Sequence, residues 1–155
     1  MITVRDYRAS DAAALASIFH RSVQIGAKQH YTAPQLDDWS PECPASGAYQ
    51  ERLEGLRVFV AQVAGDPVGF MALRESDGYI DLAFVAPEMI GKGVAFALYG
   101  RVRSLCRDLG LSRMTVEASA QSYVFFSRQG WSVTGRKTRG SGKTELQTWL
   151  MDKQL

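Results

Sequence analysis

Metal and disulfide chemistry have little to work with in this chain. It carries two cysteines, Cys43 and Cys106, and two histidines. Two cysteines make no disulfide framework, and the spacing of histidines and carboxylates offers no metal set. Neither cysteine stands in an arrangement with histidine that supports a covalent acyl-enzyme. Long apolar runs are missing too: none approaches the roughly 18 residues of a membrane span. The N-terminus, MITVRDYRASD, is charged where a secretory leader needs an apolar stretch. Together these absences predict a reduced, cytoplasmic setting with no metal and no membrane partner. Charge of one sign is also scarce. Lysine and arginine number 18 against 16 acidic residues, a formal net charge of +2, so nothing calls for nucleic acid as a partner. The basic cluster at 136–143, RKTRGSGK, reads as a solvated hairpin tip.

What is present fits one domain spanning residues 1–155, with an apolar fraction of 46% to fill its core. Residues 3–7 alternate as a first strand. Ser10 is placed to cap a helix that starts at Asp11, with Leu15, Ile18, Phe19 and Val23 on its buried face. Gly26 marks its end. Thr32 and Gln35 have capping-box spacing at the head of a second helix, with Pro34 tolerated in its first turn. Residues 48–55 form a third, short helix. A meander follows, with strands at 57–63, 68–73 and 79–85 separated by turns at 65–67 and 77–78. Residues 94–109 repeat Val94, Leu98, Val102, Leu105 and Leu109 at helical spacing, and Gly110 stops the run. A strand at 113–117 completes a β-α-β crossover, which makes it a parallel neighbour of strand 79–85. A short helix at 122–129 and strands at 131–138 and 145–152 close the chain. The fold class is mixed α/β: one central, mostly antiparallel sheet flanked by helices.

The stretch at 87–110 carries the most chemistry. Ile90-Gly91-Lys92-Gly93 leads from a strand into the long helix. A glycine loop at a helix N-terminus offers bare N–H groups and the positive end of the helix dipole to a phosphate. It is no dinucleotide fingerprint, because a third glycine is missing at that spacing and no second β-α-β unit precedes it. GSGKT at 140–144 is no phosphate loop of the nucleotidase kind. The leading glycine is replaced by Lys137, and a strand pattern follows where a helix is required.

The strand, the I-G-K-G-V-A loop and its helix resemble the cofactor motif of GNAT-type acyl-CoA N-acyltransferases, Q/R-x-x-G-x-G/A. Gly93 and Ala95 match, and Ile90 stands where Gln or Arg is usual. Residues 119–131 resemble the next motif, N-x-x-A-x-x-F-Y-x-x-x-G-F. Phe125, Gly130 and Trp131 match, while Ser119, Ser122 and Phe126 depart. The Y-[ST]-x-x-Q-L-x-x-W pattern at 31–39 is similar to that of a small bacterial branch. The resemblance implies acetyl-CoA as cosubstrate. Its pyrophosphate would lie on Gly91, Lys92, Gly93, Val94 and Ala95, with Ile90 at the edge and Phe126 on the wall. Ala83, Phe84 and Val85 would give backbone contacts to the pantetheine arm, beside a gap between the fourth and fifth strands. One of their N–H groups would stabilise the oxyanion.

The implied reaction is direct attack by an amine on the thioester. Many family members protonate the leaving thiolate with a tyrosine at the position of Phe126, which has no proton to give. Tyr123, one turn earlier, is the candidate replacement. Asp81 is the candidate base. It sits in an apolar strand and shares the facing of Ala83 and Val85 if no bulge intervenes. Glu117 ends the 113–117 strand and reads as a surface residue, with an approach to the cleft as the alternative. His30, Tyr31 and Trp39 are candidates to line the acceptor pocket. The expected activity is transfer of acetyl from acetyl-CoA to a small-molecule amine by a monomer or homodimer. A peptide or protein acceptor, or a non-catalytic acyl-CoA-binding module, are the alternatives.

Overall fold

A computed structural model describes residues 1–140 and 144–155. Its core is a seven-stranded sheet in the order β1-β2-β3-β4-β5-β7-β6. The strands are β1 (Ile2–Asp6), β2 (Arg57–Val63), β3 (Asp66–Arg74), β4 (Tyr79–Val85), β5 (Arg113–Ala118), β6 (Ser132–Arg139) and β7 (Leu146–Gln154). All neighbours are antiparallel except β4 and β5, the pair joined by the crossover helix α4 (Val94–Asp108). Three helices precede β2: α1 (Ala12–Arg21), α2 (Ala33–Trp39) and α3 (Ser46–Leu53). Helix α5 (Ala120–Arg128) links β5 to β6. Among the described residues no helix is long and apolar enough to cross a membrane.

Each face of the sheet has its own core. On one side α4 and α5 pack Leu98, Val102, Cys106 and Phe126 against Phe59, Met71, Leu73, Ile80 and Met114. The buried stripe of α4 runs Val94, Leu98, Val102 and Cys106, so Leu109 emerges at the surface rather than continuing it. On the other side α1 and α3 pack Leu15, Ile18, Tyr49 and Leu53 against Val58, Val60, Phe70 and Ala72. A small third cluster, Val23, Ala27 and Leu36, seats α2.

The entry into α1 differs from expectation. Ser10 does not cap it. A 3-10 turn, Ala9–Asp11, comes first, and the Asp11 carboxylate accepts from the Arg8 N–H at 2.8 Å. Both Nη groups of Arg5 donate to the same carboxylate at 2.8 Å. The Asp11 side chain makes no cap bond to α1 either, because Arg5 on the adjoining strand and the Arg8 N–H draw it back. The α1 run then ends in a π-helical turn, Ser22–Gly26. The capping box of α2 forms as its spacing implies, with Gln35 N–H on the Thr32 hydroxyl and Thr32 N–H on the Gln35 side chain.

Candidate active site

The site begins where the sheet comes apart. β4 and β5 pair only at Tyr79↔Thr115 and Ile80↔Val116. Beyond Ile80 the two strands diverge, and a gap opens between the end of β4 and the end of β5. The β3–β4 ladder is disturbed at the same place: Leu73 pairs with Ile80 and Ala72 with Leu82, leaving Asp81 as the extra residue of a bulge. This overturns the expected facing of Asp81. Ile80, Ala83 and Val85 pack on the α4 side, whereas Leu82 and Phe84 pack on the α1–α3 side. Asp81 turns to the latter side, where Arg52 of α3 donates to its carboxylate from Nη2 at 2.8 Å and Nη1 at 3.4 Å.

The backbone of β4 beyond the bulge is aimed by alternation. Ala86 N–H bonds to the Val68 carbonyl at 2.8 Å, so Phe84, two residues back, also points its N–H at β3. Ala83 and Val85 therefore present theirs to the gap. A first cleft, about 370 Å³, runs from this edge to the head of α4. Its walls include Ala83, Phe84, Val85, Ile90, Gly91, Gly93, Val94, Ala95 and Phe126. Gly91 and Gly93 hold φ of 79° and 89°, and space is open where a Cβ would stand. The first intrahelical bond of α4 runs from Ala97 N–H to the Gly93 carbonyl at 3.1 Å, so the N–H groups of Val94, Ala95 and Phe96 precede the ladder. These features fit an anionic carrier with an extended arm. Lys92 is exposed and lines neither this cleft nor the next.

A second cleft, about 550 Å³, lies on the α1–α3 side of the gap. It is lined by the rings of Phe19, Tyr31, Trp39, Tyr49, Tyr79 and Phe84, and by Arg52, Asp81, Glu117 and Arg139. Trp39, Phe84 and Ser119 line both clefts and mark their junction. Tyr31 does more than form a wall. Its hydroxyl accepts from Ala120 N–H at the head of α5 at 2.8 Å and donates to the Gln147 carbonyl at 3.2 Å. Burial raises the pKa of this hydroxyl above its ordinary value, and the Ala120 N–H pulls the other way. Gln35 of α2 reaches the Glu145 carbonyl at 2.7 Å, so α2 and the residue that leads into it are both tied to the start of β7.

Glu117, read from sequence as a surface group, is instead a member of the second cleft with a side chain only 7% exposed. Arg139 Nε and Nη2 and the Thr148 hydroxyl all donate to it. The guanidinium of Arg139 first, and the Thr148 hydroxyl after it, hold its carboxyl below the usual range. The partners lie on β6 and β7, and only the sheet order brings them beside β5. Ser119 and Ser122 are the other groups that sequence reasoning passed over. They cap α5 reciprocally, with hydroxyl oxygens 3.1 Å apart, and both stand on the first cleft's wall. Their departure from the motif was the signal.

Two candidates are placed elsewhere. Tyr123 lines neither cleft; its ring packs at a tilt against Trp149 of β7, with centroids 5.3 Å apart. Helix α5 turns Ser122, Phe125 and Phe126 to the cleft and Tyr123 to the sheet. Tyr123→Phe should therefore leave kcat within about twofold and shift Tm by only about a degree, as steady-state kinetics and thermal melts would show. His30 is exposed on the turn before α2 and lines neither cleft. Among the described residues no group of three or more His, Cys, Asp or Glu could hold a metal.

Two clefts thus meet at the split in the sheet, one at the head of a helix and the other ringed by aromatic side chains. A family model for the acetyltransferase (GNAT) domain matches residues 27–147. The chain is 36% identical over 130 residues to the uncharacterized N-acetyltransferase YafP of Escherichia coli, covering 84% of this chain and 81% of that protein. It is 28% identical over 142 residues to the peptidyl-lysine N-acetyltransferase YjaB of Salmonella typhimurium, covering 88% and 87%. A GCN5-related N-acetyltransferase from Rhodopseudomonas palustris superposes with a TM-score of 0.90 at 29% identity, covering 99% of this chain and 95% of that one. The yncA protein of Salmonella typhimurium, solved with its cofactor acetyl-CoA, has the same fold at a TM-score of 0.75 and 20% identity, covering 99% and 93%. The chain belongs to the GNAT acetyltransferase family and is an N-acetyltransferase.

Proposed function

We propose that one domain carries acetyl from acetyl-CoA directly to the amine of a small molecule. The observation that supports a small acceptor is the lining of the second cleft, where the rings of Phe19, Tyr31, Trp39, Tyr49, Tyr79 and Phe84 converge on about 550 Å³. On this reading the N–H groups ahead of the α4 ladder take the pyrophosphate, and Ala83 and Val85 line up the pantetheine arm. An N–H at the gap faces the thioester oxygen and stabilises its charge as it develops. The amine nitrogen bonds to the carbonyl carbon, the C–S bond breaks with its electron pair on sulfur, and the proton lost by the amine restores the thiol. Phe126 offers no proton, so Ser119 and Ser122 supply the hydroxyls on that wall. A peptidyl-lysine acceptor is the second reading, favoured by the name of the Salmonella relative. The test is CoA release with acetyl-CoA and a panel of small amines beside lysine peptides. Turnover confined to peptides would replace the first reading by the second.

A further inference from the structure

The charges that line the acceptor cleft cancel in pairs. Among the described residues they are Arg52, Asp81, Glu117 and Arg139. Arg52 grips Asp81 with both Nη groups, and Arg139 grips Glu117 with Nε and Nη2. The other titratable groups facing the cavity are the phenols of Tyr31, Tyr49 and Tyr79. Each of these hydroxyls is made less acidic, chiefly by burial. An ammonium entering this cavity meets no unpaired carboxylate. An amine of lysine's basicity, about pKa 10.4, is neutral in only about 4 parts in 10,000 at pH 7. It needs either a base or a long wait. Glu117, held ionised by Arg139 and Thr148, is a weak base. What the cavity does offer is flat apolar surface, six aromatic rings with Tyr31 set edge-on to Trp39 at 5.9 Å.

We infer that the acceptor is a weakly basic amine on a flat aromatic body, an arylamine, which enters the second cleft already unprotonated. This rests on the transfer reading above. Arylammonium groups titrate in the range of carboxylic acids, so the nitrogen lone pair is free at neutral pH without help from the protein. The aromatic walls take the ring, and the paired charges make the cavity neutral to it. The missing acid matters less as well, because the proton lost by an acylated arylamine is acidic enough to pass to the thiolate directly.

The experiment is a matched pair under saturating acetyl-CoA: p-toluidine against benzylamine, with a lysine peptide as third acceptor. At pH 7 p-toluidine should lead in kcat/KM by about 100-fold or more, with a profile flat from about pH 6 to 8, while benzylamine gains about tenfold per pH unit. Benzylamine or the peptide matching p-toluidine at pH 7 would overturn the inference and leave acetyl transfer standing. A tenfold rise per unit with p-toluidine would reveal a titrating base and overturn it as well. Release of CoA with no amine, while calorimetry shows acetyl-CoA bound, would overturn both readings. Arg139→Gln and Arg52→Gln each unpair one carboxylate. In whichever variant keeps its circular dichroism, the preference should move toward benzylamine by about tenfold. An unchanged preference in a folded variant would remove charge pairing as its source.

Discussion

Gly93→Glu is expected to weaken acetyl-CoA binding at least about 100-fold by calorimetry, with the fold intact by circular dichroism. Two effects add. Gly93 sits at φ 89°, a left-handed conformation that costs a residue with a Cβ about 1 kcal/mol or more. The position where that Cβ would stand is open, so the new side chain meets no protein. It projects into the space beside the first N–H groups of α4 and puts a carboxylate where the pyrophosphate would lie. Gly93→Ala isolates the backbone part, and a loss nearer tenfold is expected there. Affinity unchanged in Gly93→Glu would remove this loop as the carrier site.

Asp11→Ala is expected to destabilise the fold measurably. Arg5 and Asp11 are mostly buried, with side chains 19% and 8% exposed. Removing the carboxylate strands the Arg8 N–H, while Arg5 keeps the Gln62 side chain and the Asp6 carbonyl as partners. The loss is therefore about 1 to 3 kcal/mol, or roughly 5 °C in Tm for a domain of this size. The pH dependence has a definite sign. Hydrogen bonds from Arg5 first, and from the Arg8 backbone, lower the pKa of Asp11 in the folded state. Its contribution is therefore present above the unfolded value, about pH 3.9, and is lost as pH falls through the lower folded value. The wild type should lose stability over that acid window, and the variant should lack that part of the loss. Equal acid sensitivity in both would place the stabilisation elsewhere.

The framework of the fold was legible because its signals are local. The runs at 57–63 and 79–85 match β2 and β4 residue for residue, and the Thr32–Gln35 box closes as its spacing implies. The glycine loop was legible for the same reason. What could not be read depends on which strands end up side by side. Glu117 looks like a surface residue until β7 and β6 bring Thr148 and Arg139 against it. The role of Tyr31 spans 89 residues to Ala120 and 116 to Gln147. Tyr123 and Phe126 share a helix face by spacing, yet the rotation of α5 sends one to Trp149 and the other to the cleft.

The bulge at Asp81 obeys a parity rule. Ile80 lies on one face, Leu82 on the other, and Ala83, Phe84 and Val85 continue the alternation. Counting along the strand with Asp81 omitted gives an unbroken two-residue rhythm. Asp81 is thus the extra residue of the strand. A chain with that residue excised would be expected to keep Ile80, Leu82, Ala83, Phe84 and Val85 on their present faces. What it would lose is the carboxylate on Arg52 and the kink beside the gap.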